Sequence, residues 1–293
     1  MAQLSTIIQQ IEAATQTKLS NYTLSSVSGG CINTAYKVSA GNQYYFIKVN
    51  SPDLSAMFEA EAAALAEMAE LNCVRVPKVI TYGIADNHSY LALEYIALDS
   101  MRGDAAKLLG QQLAQLHQQA MPYFGWHIDN TIGSTPQIND RKDDWHTFWQ
   151  QHRLNQQLDF AAQNGYAGRV QDRGMLLSEN LHVFFDNYTP HPSMLHGDLW
   201  GGNAAGDEQG NPVIFDPASY YGDREADIAI TELFGGFGHD FASAYHAEYP
   251  LEAGYAVRKT LYNLYHILNH VNLFGGSYLG QAESMIEQLL SET

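Results

Sequence analysis

The sequence predicts an α+β fold in two lobes. A sheet-rich N-terminal lobe with one major helix spans residues 1–97, and a larger, mainly helical C-terminal lobe spans residues 98–293. Three observations predict it. Residues 22–50 are rich in β-formers and are broken by Gly29-Gly30 and by Ala40-Gly41-Asn42. Residues 53–72 form one long amphipathic run. From residues 97–103 onward, helical periodicity takes over and continues to the C-terminal end.

Leu4, Ile7, Ile8 and Ile11 fall at helical spacing and open the chain. The β-rich stretch then reads as an antiparallel meander. In its third strand Tyr45, Ile47 and Val49 alternate with Tyr44, Phe46 and Lys48. In the helix over 53–72, Phe58, Ala62, Leu65 and Met68 or Ala69 build the apolar face. Residues 76–83 and 89–96 read as two further strands. Helices follow over 104–120, 144–163 and 178–188, then a short strand pair near 203–216, then more helices from residue 223. Trp145 and Trp149 lie four apart on the second of these helices, and His117 follows Leu113 by four. Both spacings signal packing.

The chain has 293 residues, 45% hydrophobic and 16% charged, which is the composition of a globular protein with a core of its own. Fifteen Lys and Arg against 32 Asp and Glu give a formal charge of -17. That balance argues against nucleic acid and anionic membrane as partners, and any phosphate ligand then needs local positive groups. No run approaches the roughly 18 apolar residues of a membrane span. The first residues lack the basic and apolar regions of a signal peptide. Two cysteines, Cys31 and Cys73, make no disulfide framework. The expected compartment is the cytoplasm.

The most informative segment is 195–218, LHGDLWGGNAAGDEQGNPVIFDPA. Turn formers at 206–212 lie between Ala204-Ala205 and Val213-Ile214-Phe215, which can pair as a hairpin. Such a hairpin brings Asn203, before its first strand, towards Asp216, after its second. An amide oxygen and a carboxylate side by side suit Mg²⁺. Asp198, five residues upstream of Asn203, can be aimed at the same place.

His196-Gly197-Asp198, then Asn203, then Asp216-Pro217-Ala218, resembles the catalytic loop of the protein-kinase fold. His-Gly-Asp in place of His-Arg-Asp points to the small-molecule phosphotransferases of that fold, among them the aminoglycoside and choline kinases. The full string HGDLWGGN is similar to the fructosamine (ketosamine) kinase family. So are Gly29-Gly30-Cys31-Ile32-Asn33, Phe58-Glu59-Ala60-Glu61, Val74-Arg75-Val76-Pro77, residues 130–137 and Thr231-Glu232-Leu233-Phe234-Gly235-Gly236.

The resemblance implies a bilobal protein-kinase-like fold and an ATP- and Mg²⁺-dependent kinase. The acceptor is the 3-hydroxyl of a ketosamine, such as fructosamine or ribulosamine on a small amine or a glycated lysine. The phosphorylated product breaks down and releases the amine, so the implied function is deglycation. It also implies roles. Asp198 orients and deprotonates the acceptor hydroxyl. Asn203 and Asp216 hold the metal. His196 and Asp227 support the loop. Lys48 contacts the α- and β-phosphates of ATP, held by a carboxylate on the next helix. Glu61 shares the apolar face of Phe58 and Leu65, where a carboxylate needs a cation, and is favoured over Glu59. Gly29, Gly30, Cys31 and Asn33 form the phosphate loop, although the later glycines of the protein-kinase loop are missing. Glu94, Tyr95 and Ile96 form the hinge that reads adenine. Trp200 either stacks on the sugar or packs the loop. Cys31, near bound anions, is expected to be redox-sensitive, with an intermolecular disulfide as one outcome. Two other readings are an aminoglycoside- or choline-type phosphotransferase and a nucleotide-binding pseudokinase scaffold.

Overall fold

The computed structural model describes residues 4–27 and 32–293. It divides into two compact units, Met1–Ala105 with Ala205–Pro217, and Ala106–Ala204 with Ala218–Thr293. A single cut at residue 97 therefore does not describe the chain. The first unit runs to residue 105 and takes back a piece from far along the sequence.

The first unit contains α1 (Ser5–Thr15), β1 (Thr23–Val27), β2 (Thr34–Ala40), β3 (Gln43–Asn50), α2 (Ser55–Leu71), β4 (Val79–Ala85) and β5 (His88–Glu94). The strands form one antiparallel sheet in the order β1-β2-β3-β5-β4. Ala40 pairs with Gln43, so Gly41 sits in a tight turn at φ +58°. Strand alternation sorts β3 into two faces. Tyr45, Ile47 and Val49 join Val38, Tyr90 and Ala92 in a core that Leu4, Ile7, Ile8 and Ile11 of α1 help to build. Lys48 has the opposite parity and meets a residue of α2 instead. α2 packs on β4 and β5 and ends where Asn72 enters the left-handed region.

The second unit begins with α3 (Ala105–His117), β6 (Asn130–Ile132), β7 (Thr135–Gln137), α4 (Trp145–Trp149), α5 (Asn155–Gln163), α6 (Arg169–Glu179) and β8 (Ser193–Leu195). The chain then makes β9 (Ala204–Gly206) and β10 (Pro212–Ile214), a two-stranded hairpin, most of which belongs to the first unit. β11 (Tyr220–Gly222) pairs with β8, and α7 (Glu225–Thr231), α8 (Gly238–Glu248), α9 (Tyr255–Phe274) and α10 (Leu279–Leu290) complete the unit. Every residue of α9 from 261 to 269 is buried, as expected of a helix surrounded by others; α5, α7 and α10 pack on it.

Two local expectations change. The helix expected over 144–163 is interrupted by a π turn at Gln150–Leu154, which carries the buried Arg153. Beyond Ser178 and Glu179, which end α6, the segment expected to be helical over 178–188 contains only a 3-10 turn, Leu181–Phe185. The helix lies just before it, as α6, whose polar sequence buries only Val170, Gly174, Leu177 and Ser178 and so shows little apolar periodicity. The three-residue pairs β6–β7 and β8–β11 are too short for alternation to reveal. Trp145, Trp149 and His117 are buried, as their spacing suggested. Among the described residues no helix is long and apolar enough to cross a membrane.

Candidate active site

In the first unit, Lys48 of β3 places its ammonium 2.6 Å from Glu61 Oε1 of α2 and 2.6 Å from Asp216 Oδ1, just beyond β10. Glu61, not Glu59, is the acid that meets it. Lys48 and Glu61 are 5% and 8% exposed, whereas the Asp216 side chain keeps 47% of its surface. Burial alone pushes the Lys48 pKa down. The two carboxylates outweigh it and hold the ammonium protonated well above the usual lysine range. One cation facing two anions leaves the cluster one negative charge in excess. Asp216 adopts φ +58°, a left-handed conformation that Asp tolerates better than most residues but that is still strained.

In the second unit, β8 leads into the loop that bears Asp198. Gly197 is required there. Its φ is +81°, and a Cβ would stand 2.1 Å from the Ala218 carbonyl oxygen. The Ala218 amide donates to the His196 carbonyl at 2.9 Å. Asp227 of α7 accepts from the amides of His196 at 2.6 Å and Gly197 at 2.8 Å. Burial works against its charge, but the hydrogen bond from the His117 ring, with the Gly197 amide, overcomes it, so the carboxyl lies below the usual range. Burial also pushes His117 down and keeps it neutral. Its Nε2–H therefore points to Asp227 at 3.3 Å, and its Nδ1 accepts from the Tyr245 hydroxyl at 2.9 Å.

His196 Nδ1 accepts from the Asp198 amide at 3.2 Å. Asn203 donates its amide nitrogen to the Asp198 carbonyl at 2.8 Å and to Asp198 Oδ2 at 2.9 Å. Both bonds use nitrogen, and the remaining oxygen is the atom a hard cation takes. Trp200 lies against Gly202, where a Cβ would clash with its ring, and retains 38% of its surface.

The 130–137 segment holds the backbone at Ala218 and Ser219. Asn130 Nδ2 donates to the Ser219 carbonyl at 2.7 Å, and Gln137 Nε2 to the Ala218 carbonyl at 3.1 Å and to Asn130 Oδ1 at 2.7 Å. The Tyr265 hydroxyl completes this network on Gln137 Oε1 at 2.6 Å. The sequence pointed to His117 only as packing, to Asn130 and Gln137 only as part of a family string that could wall the acceptor cleft, and not to Tyr265 at all.

The remaining candidates fall as follows. Asn33 Oδ1 accepts from Asn50 Nδ2 at 2.7 Å. Glu94 pairs through its backbone and side chain with Lys78, and the Lys37 ammonium lies 3.9 Å from the Tyr95 ring centroid. Ile96 follows just past β5. Gly29, Gly30 and Cys31 lie outside the described residues. Among the described residues no group of three or more His, Cys, Asp or Glu could hold a metal. Mg²⁺ bound with phosphates and water needs only one or two protein oxygens, and the half-exposed Asp216 carboxylate is of the kind such an ion takes.

The sequence profile of the fructosamine kinase family matches residues 3–292. The chain is 47% identical over 286 residues to a probable ketoamine kinase of Synechocystis, covering 97% of this chain and 96% of that protein. It is 42% identical over 272 residues to a chloroplastic protein-ribulosamine 3-kinase of rice, covering 91% and 78%. The crystal structure of a candidate fructosamine-3-kinase from Haemophilus somnus superposes with a TM-score of 0.87 at 30% identity, over 97% of this chain and 96% of that one. A choline kinase from Streptococcus pneumoniae, at 16% identity and a TM-score of 0.65 over 98% of each chain, shares the protein-kinase-like fold. By sequence and by architecture, this chain belongs to the fructosamine kinase family.

Proposed function

We propose that this phosphotransferase carries the γ-phosphoryl group of ATP to a sugar hydroxyl of a ketosamine through the residues described above. The observation that supports the reading most directly is the Lys48 ammonium bonded to both Glu61 and Asp216. A buried lysine held charged by two acids is built to meet phosphate, and nothing in a merely structural role requires its second, half-exposed carboxylate.

In this reading Lys48 takes the α- and β-phosphates and Glu61 keeps its ammonium in place. Asp198 accepts a hydrogen bond from the acceptor hydroxyl and takes its proton as the oxygen attacks phosphorus. Asn203 orients that carboxylate through its amide, and Asp227 and His117 hold the loop backbone. Asn203 and Asp216 would bind Mg²⁺, which when present neutralises charge on the phosphate oxygens. The backbone at Glu94, Tyr95 and Ile96 would read the adenine edge, and the loop at Gly29, Gly30, Cys31 and Asn33 would cover the phosphates. Trp200 offers indole surface for an apolar sugar face. The ketosamine assignment is favoured over an aminoglycoside or choline acceptor by relatives named as ketoamine and ribulosamine kinases at over 40% identity.

An ADP-release assay with fructose-lysine, ribulose-lysine, choline and kanamycin tests this. Turnover is expected with one or both ketosamines and with neither of the others. Asp198→Asn should bind ATP as the parent does while turnover falls by about 10²–10⁴-fold. Ketosamine turnover that survives this change removes Asp198 as the base. ATP binding with no turnover on any acceptor favours a scaffold.

A further inference from the structure

The β9–β10 hairpin is tied to the first unit by a residue that phosphoryl transfer, as described, does not use. Arg75 lies between α2 and β4. It forms a parallel bridge with Val213 of β10, and its carbonyl accepts the Ile214 amide at 3.0 Å. On the other strand, Gly206 and Asp99 exchange two backbone hydrogen bonds, each 2.9 Å. The side chain of Arg75 reaches the hairpin's turn and forms an ion pair with Asp207. Asp207 in turn accepts from the amides of Gln209 at 2.9 Å and Asn211 at 2.8 Å.

Arg75 therefore grips the hairpin twice, by its carbonyl on the strand that leads to Asp216 and by its guanidinium on the turn. The pair is asymmetric: the Arg75 side chain is 40% exposed and that of Asp207 only 2%. An exposed ion pair contributes little, but here the loss of the cation leaves a buried carboxylate whose charge is met only by the turn amides and the Asn211 side chain, at 3.3 Å from Oδ2. Asp216 stands two residues beyond the end of β10, in a strained backbone conformation. An aspartate has a short side chain, so the place of its carboxylate follows from the place of that strand.

We propose that Arg75 and Asp207 are positioning residues for phosphoryl transfer, their ion pair fixing the hairpin so that the Asp216 carboxylate, which here lies on the Lys48 ammonium, stays where it would meet the Mg²⁺ of bound ATP. The proposal rests on the reading that Lys48 and Asp216 serve the nucleotide. Neither Arg75 nor Asp207 touches reacting atoms, and their effect falls on nucleotide binding rather than on the acceptor.

The test compares Arg75→Gln, Arg75→Lys, Asp207→Asn and the Arg75→Gln/Asp207→Asn double variant with the parent, with Asp216→Asn as reference. ATP binding is measured by calorimetry with Mg²⁺ and again in EDTA, alongside melting temperature and the KM for each substrate. Arg75→Gln should weaken binding in Mg²⁺ by about tenfold, and the double variant should be no worse than either single change. The loss should largely vanish in EDTA, the ketosamine KM should stay put, and Arg75→Lys should recover most of the affinity. Asp207→Asn keeps an oxygen for the turn amides, so it still tests the proposal if Arg75→Gln does not fold. Folded variants with parental affinity in Mg²⁺, losses equal in Mg²⁺ and EDTA, or additive losses in the double variant would overturn it. If Asp216→Asn itself leaves ATP binding and turnover intact, the reading of the site falls, and the proposal with it.

Discussion

Two carboxylate-bearing regions, one in each unit, are organised by different forces. Lys48, Glu61 and Asp216 come from a strand, a helix and a hairpin, 168 residues apart at the extreme, and meet through charged side chains. Asp198 and Asn203 sit five residues apart on one loop, and a buried carboxylate holds that loop by its backbone amides. The first arrangement depends on charge and on where three elements are packed. The second depends on backbone geometry, with Gly197 and Asp227 as its anchors. Charge changes in the first unit should therefore act mainly on nucleotide affinity, and changes around the loop on both folding and turnover.

The strongest way to break this contrast is Asp227→Ala. It strips the acceptor from two buried amides and from His117, and should cost about 3–5 kcal/mol of stability in denaturant unfolding. A variant that kept parental stability and lost only ATP affinity would erase the distinction. Next comes Glu61→Gln, which keeps a hydrogen-bond acceptor for Lys48 and removes the charge. About 10- to 100-fold weaker ATP binding is expected, with a stability change of about 1–3 kcal/mol. Unchanged ATP binding, measured directly, would mean that Asp216 alone holds the ammonium.

The smallest effect sharpens the picture of the second unit's core. Burial, reinforced by His270, pushes His266 of α9 down to about 3. Between that value and the ordinary histidine value near 6.5, the unfolded chain binds a proton that the folded chain does not. Stability is then full above pH 6.5 and is lost as pH falls below it. Taking pH from 7 to 5 should cost about 2 kcal/mol from this residue. His266→Asn should flatten that part of the curve by a similar amount, as read from unfolding at each pH. An unchanged slope would place the acid sensitivity elsewhere.

Much of the first unit was legible because its signals are periodic. Alternation in β3 separated Ile47 from Lys48, and helical phase chose Glu61 over Glu59. The helix α6 was not legible, because it buries few apolar side chains, and neither was the π turn at Arg153, which no propensity marks. The loop residues Asp198 and Asn203 were found by their order in the chain. The supporting role of His117, Asn130 and Gln137 was not legible, because each acts on a backbone group more than 70 residues away or on a side chain so held.

The sequence by itself determined which chemical groups are present and in what order: an ammonium on a strand, an acid on the next helix, then Asp198, Asn203 and Asp216 along a Gly-rich stretch. It also determined that β3 is a strand with two unlike faces, because successive side chains point to opposite sides. Only the tertiary structure decided that residues 205–217 pack with the first unit, that Arg75 bridges to Asp207, and that a neutral histidine stands behind Asp227. Hydrogen bonds between distant backbone and polar groups satisfy buried donors and acceptors wherever packing happens to bring them, and that pairing leaves no repeating trace along the chain.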